Sequence, residues 1–147
     1  MLGLPDVMLS GLEGCDLILH AGDLNSLDVL RRLGEVAPVV AVSGNNDEPE
    51  VLKHLPAERV FNAGRHTIGL MHGHLPRPTA RQSAVQVMRG KVDCVVYGHS
   101  HIPDLSDEGG LLLVNPGSPT QRRSAPHRSY AIMMVDDEIA VEFFQLP

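Results

Sequence analysis

Five of the eight histidines in this sequence, His20, His72, His74, His99 and His101, fall at or just after the ends of apolar runs. The pattern is plainest in DCVVYGHSHIP, residues 93–103, where an apolar run passes through a glycine into two imidazoles one residue apart. Similar junctions recur. DLILH leads into AGD with Asp23, and VVAV leads into SGNND with Asn45 and Asn46. IGLM leads into HGH with His72 and His74, and LLLV leads into NPGS with Asn115. Imidazole nitrogen and carboxylate oxygen without thiolate suit zinc, manganese, iron, nickel or cobalt, and argue against a cysteine-based structural zinc knot. Neutral imidazoles and amides with few carboxylates leave a divalent site with net positive charge, which attracts an anion such as phosphate. In an extended turn His99 and His101 can point to different places and serve two metals about 3.5–4 Å apart.

Such residues need a rigid base, and the sequence between them supplies one. LPDVMLSGLEG reads as a short amphipathic helix with Val7, Met8 and Leu12 on one side. DLILH, residues 16–20, and PVVAV, residues 38–42, read as strands. Between them LNSLDVLRRLGEV forms a helix capped by Asn25 or Ser26, with Leu27, Leu30, Leu33 and Val36 inward. A loop rich in acidic residues and prolines follows. ERVFN and HTIGLM around AGR form a hairpin, and TARQSAVQVMRG is a helix. CVVYG and, after SDEGG, LLLVN are further strands, and SYAIMMV and IAVEFFQL flank a turn at Asp136-Asp137. Strand alternating with helix and then antiparallel pairing describes an α/β layered domain. Each polar cluster lies past the C-terminal end of a strand, where open α/β sheets bind ligands.

Composition narrows the function classes. A chain of 147 residues, 43% hydrophobic, suits one domain spanning residues 1–147. A net charge of -6 argues against general nucleic-acid or membrane-surface binding. Aromatic residues make up 3% of the chain, too few for a base-stacking platform. No apolar run approaches a membrane span and no signal peptide opens the chain. Cys15 and Cys94 read as small buried hydrophobes in a reducing compartment, which implies a cytoplasmic protein.

The ordered set HAGD, GNND, MHGH, YGHSH and NPGS resembles the calcineurin-like metallophosphoesterases, in their small bacterial and archaeal phosphodiesterase branch. The retromer subunit of vacuolar protein sorting belongs to the same branch. The resemblance implies a two-sheet β-sandwich flanked by helices, holding two divalent metals, manganese first, with nickel, iron, zinc or cobalt as alternatives. By similarity, Asp23 bridges the metals, Asn45, His72 and His99 complete one shell, and His101 binds the other metal. The substrate would be a small phosphodiester or nucleotide-like molecule, attacked by a metal-bound hydroxide while both cations neutralise developing charge. Asn45 would also lie close to the substrate phosphate. His74 would support the shell or donate a proton, and Asn115 would close the site wall. His20 reads as a satisfied polar cap, and residues 121–128 as a solvated loop, with arginine contacts to phosphate the other reading.

Two departures qualify this expectation. Family members open with a strand ending in Asp-x-His, whereas this sequence begins at MLGLPDV, which resembles the helix after it. The expectation is therefore a sheet missing its N-terminal strand, a half-filled shell around His101, and unpaired backbone that another chain, as in a homo-oligomer, could meet. Some relatives place a proton-donating histidine where this sequence has Asn46, which cannot donate in that way. The alternative function is a weakly active or inactive scaffold of the same fold.

Overall fold

The computed structural model describes residues 4–24, 26–74 and 79–147. Its elements run in the order α1 (Asp6–Gly11), β1 (Ile18–His20), α2 (Leu27–Gly34), β2 (Val39–Ala41), α3 (Pro49–His54), β3 (Glu58–Ala63) and β4 (His66–Met71). They continue with α4 (Ala80–Met88), β5 (Cys94–Val96), β6 (Asp104–Glu108), β7 (Leu111–Asn115), β8 (Arg128–Val135) and β9 (Ile139–Leu146).

One sheet is continuous, with strand order β3-β4-β5-β7-β6. Its middle strands β4, β5 and β7 are parallel, and antiparallel hairpins close both edges. All three residues of β5 are buried, the uninterrupted apolar pattern of a strand covered on both faces. Opposite lies a second layer in two pieces, the parallel pair β1-β2 and the antiparallel pair β8-β9. Ile68, Leu70, Val96 and Val114 from the continuous sheet pack against Leu19, Val40, Met133 and Val141 from the divided one. This is the expected pair of facing sheets.

Helices cover the outer faces. In α4, Ala80, Ala84 and Met88 recur at four-residue spacing and pack on Met71, Val95 and Leu113. Its N-cap Thr79 accepts the Gln82 amide at 3.1 Å. Met8 of α1 and Leu33 of α2 pack with Ile18, Tyr130 and Leu146 over the divided layer.

Several expectations change. Met8 is buried but Val7 is 62% exposed, so the inward stripe of α1 does not include Val7. Ser26 stands at the N-cap of α2 without a side-chain bond, and Asn25 lies outside the described residues. The acidic, proline-rich stretch after β2 contains α3, started by Pro49 in its first turn and anchored by buried Val51. DLSDE is an edge strand, β6, hidden in the sequence because Asp104, Ser106 and Glu108 lie on its more covered side and Leu105 faces out. Asp104 is held there by the Tyr97 hydroxyl at 2.5 Å, and Glu108 by Arg81 at 2.6 Å. Both cysteines are free, Cys94 buried and Cys15 only half-buried.

Candidate metal centre

The loops after β1, β2, β4 and β5 meet at one end of the facing sheets. Tight backbone brings them together. Asp23, His99 and His101 adopt φ of 57°, 64° and 62°, the left-handed region that disfavours side chains other than glycine, asparagine and aspartate. A Cβ on Gly44 would overlap the carboxylate and amide of Asp23, so glycine there is what lets the β2 loop reach the β1 loop. A Cβ on Gly22 would stand 2.8 Å from His72 Nδ1.

His72 is the hub, with 2% of its surface exposed. Its Nδ1 donates to the Ala21 carbonyl at 2.7 Å, which fixes the ring and directs the Nε2 lone pair inward. Around that nitrogen lie Asn45 Oδ1 at 2.9 Å, Asp23 Oδ2 at 3.1 Å and His99 Nδ1 at 3.1 Å. Three potential ligand atoms thus face a fourth, an arrangement that a cation at their centre would satisfy. The ligand atoms of Asp23, His72 and His99 all lie within 4.8 Å of one another. Two imidazoles, a carboxylate and an amide oxygen are a borderline donor set suited to a first-row divalent ion. The residues present fit a metal.

The surroundings keep these donors in ligating form. Burial works against ionisation at Asp23, but the facing His72 ring and hydrogen bonds from the Asn46 amide and side chain outweigh it. Its carboxyl is held well below the usual carboxylate range. Burial lowers the pKa of His99, helped by His72 and Arg123, and lowers that of His74, helped by His72. His101 is likewise lowered by burial and then by Arg123. Neutral rings with available lone pairs result.

The structure thus gathers Asp23, Asn45, His72 and His99. His74 stands beside them, its ring 5.3 Å from that of His72, and is exposed. His101 is not part of the cluster that Asp23, His72 and His99 form among the described residues. Its Nδ1 donates to the Gln121 carbonyl at 2.5 Å. Asn115, wholly buried, binds the Gly98 carbonyl at 3.1 Å and the Ser100 hydroxyl at 3.0 Å, and accepts the Gly117 amide at 2.9 Å. It ties the histidine loop to the end of β7. His20 accepts the Gly22 amide through Nδ1 at 3.2 Å, a local cap. Arg123 contacts the His99 carbonyl at 3.3 Å, so the basic loop does reach the site.

Sequence reasoning passed over Asp47. Its carboxylate accepts the Gly44 amide at 2.6 Å and the Asp23 amide at 3.1 Å, clamping the β1 and β2 loops together.

A sequence profile of the calcineurin-like phosphoesterase superfamily domain matches residues 1–138. The chain belongs to this family. A curated relative from Methanothermobacter thermautotrophicus, named "Probable metallophosphoesterase", is 34% identical over 92% of this chain and 78% of its own length. The "Phosphodiesterase YfcE" of Escherichia coli strain K12 is 31% identical over 83% of this chain and 70% of its own. Among solved structures, wild-type Vps29 of Entamoeba histolytica complexed with zinc superposes with a TM-score of 0.79 at 26% identity. That superposition covers 99% of this chain and 91% of the Vps29 chain. The resemblance drawn from the five loop motifs is therefore correct in superfamily and branch, and the phosphoesterase class of the family follows with it.

Proposed function

We propose that the chain is a divalent-metal-dependent phosphodiesterase that hydrolyses a small phosphodiester or nucleotide-like substrate. The observation that carries this reading is the convergence of Asp23 Oδ2, Asn45 Oδ1 and His99 Nδ1 on His72 Nε2. When bound there, a divalent cation supplies Lewis acidity toward phosphoryl oxygens and acidifies water. Asp23, Asn45, His72 and His99 would hold it, with manganese the first candidate. Asp23 and His101 would contribute to a second ion. Asn45 would also orient the substrate phosphate by its side-chain amide. His74, exposed at the rim, would donate a proton to the leaving oxygen. Arg123 adds positive charge beside an anionic substrate.

Metal analysis of the purified chain, paired with turnover of a chromogenic phosphodiester in manganese, tests the proposal. Chelator-sensitive turnover is expected. Metal-free protein that stays inactive after metal addition would defeat it. A scaffold of the same fold is the second reading, favoured by the fit to Vps29. Metal bound at the Asp23 cluster without turnover would support that reading instead.

A further inference from the structure

Positive charge gathers on one wall of the candidate metal centre. From Gly109 to Val135 the sequence has no acidic residue, although the chain carries 18 elsewhere. The same stretch holds Arg122, Arg123, His127 and Arg128. Two of its arginines lack the carboxylate partners found elsewhere. Arg31, Arg65, Arg81 and Arg89 are paired with carboxylates. Among the described residues Arg122 and Arg123 bond instead to main-chain carbonyls, those of Ala125 and His99. Arg123 is thereby tied to a candidate ligand. Its Nη1 donates to the His99 carbonyl at 3.3 Å, and its exposed guanidinium keeps most of its five N–H donors for other partners. Its charge joins burial in lowering His101, and joins burial and His72 in lowering His99, so both rings feel it. Its backbone takes φ of 48°, a conformation that long side chains seldom adopt and that clusters at ligand clamps.

We infer that Arg123 holds a second phosphoryl group of the substrate. The preferred substrate is then a short phosphodiester bearing a further phosphate, such as a dinucleotide with a terminal phosphate, rather than a singly charged or cyclic diester. The inference rests on the phosphodiesterase reading and narrows its substrate class. Charge balance supports it. One divalent ion on the Asp23 carboxylate leaves a single net positive charge, which the single negative charge of a diester matches. Arg123 adds a charge that the scissile group does not need, and a second ion would enlarge the surplus. Placement supports it as well. The guanidinium is anchored on the main chain of His99, whereas the candidate ligand atom is that residue's Nδ1, 3.1 Å from His72 Nε2. Arg123 therefore stands beside the cluster, where a neighbouring phosphate would fall. A planar guanidinium meets a phosphate with two parallel hydrogen bonds, and an arginine without a carboxylate partner keeps that fork available. A long nucleic acid fits poorly, because a net charge of -6 opposes a polyanion beyond its first phosphates.

The test compares two dinucleotides that differ only in the terminal phosphate, turned over by the manganese-loaded chain and followed by product chromatography. The phosphorylated one should show a kcat/KM about tenfold higher, the size of one charge-assisted contact. In Arg123→Ala that ratio should fall to about one. Arg123→Lys should keep part of it, because the charge stays and the fork is lost. Arg122→Ala should keep all of it, since that side chain is engaged with Ala125. A merely structural tie to His99 would slow both substrates alike and leave the ratio unchanged. Uncleavable analogues, with a methylene in place of the bridging oxygen, give a second readout by calorimetry with and without manganese. The terminal phosphate should raise their affinity about tenfold in the unmodified chain and not in Arg123→Ala. Equal turnover and affinity for the two dinucleotides would overturn the inference, as would a preference that survives Arg123→Ala. If neither dinucleotide is cleaved, the phosphodiesterase reading fails, and the analogues still decide the role of Arg123.

Discussion

The continuous sheet and the divided layer face each other across one core, yet they are held together differently. β5 is three residues long and wholly buried, because β4 and β7 bond both its edges and α4 covers one face. β1 is also three residues long, but among the described residues only its β2 edge is bonded, and Leu19 and His20 are half-buried. Equal length gives unequal protection, so continuity of pairing rather than local sequence decides which strands are firm. The candidate metal centre joins the two regions. His72 and His99 come from the continuous sheet, and Asp23 and Asn45 from the divided layer.

The largest effect should come from breaking that junction. His72→Ala removes the hub and should cost at least about a hundredfold in metal affinity or phosphodiester turnover. His99→Ala should cost more than His74→Ala, whose ring stands at the exposed rim. Titration of manganese and steady-state assays of the three variants check the order, and equal losses for His99 and His74 would contradict it.

Next come the two cores. Leu113 in β7 is fully buried, and Leu113→Ala should cost about 2–5 kcal/mol in denaturant unfolding. Half-buried Ile132 in β8 packs at the margin of the cluster under α1 and α2, and Ile132→Ala should cost about 1 kcal/mol or less. Comparable losses would mean that the divided layer is as firm as its partner.

The third effect is a pH dependence confined to β1. Burial lowers His20 from its ordinary 6.5 to about 4, against the opposing pull of Asp47. Between those values the unfolded chain binds a proton that the folded one does not, so stability falls as pH drops from 6.5 toward 4. The contribution is at most roughly 3 kcal/mol, fully present above pH 6.5. His20→Gln should flatten the profile of stability against pH in that window, and an unchanged slope would remove His20 from the account. The smallest effect belongs to the edge of the continuous sheet. Glu108 pairs with Arg81 and Arg89 at its exposed surface, and Glu108→Gln should cost about 0.5 kcal/mol or less.

Much of this was legible in the sequence because strand ends and turn chemistry are local signals. CVVYGHSH announces its strand and its loop by an apolar run stopped at glycine, and the hairpin around Gly64-Arg65 is where the turn residues put it. β6 was not legible, because its stabilisation lies in Tyr97, Arg81 and Arg89, all distant in sequence from the pattern of DLSDE. α3 was masked by its own proline and acids, which belong to the first turn of a helix as readily as to a loop. Asp23, Asn45, His72 and His99 were found together since each follows a strand. Asp47 was missed because its role is visible only when the β1 loop and the β2 loop are side by side.

The left-handed backbone at Asp23, His99 and His101 has a consequence for engineering. Each such histidine costs of order 1–3 kcal/mol that glycine would not incur, whereas aspartate tolerates this backbone. A library selected for thermal tolerance alone would drift toward glycine at the two histidines and gain stability while shedding candidate ligands. Robustness and chemistry compete here at single codons, so any campaign to harden this scaffold must screen for both at once.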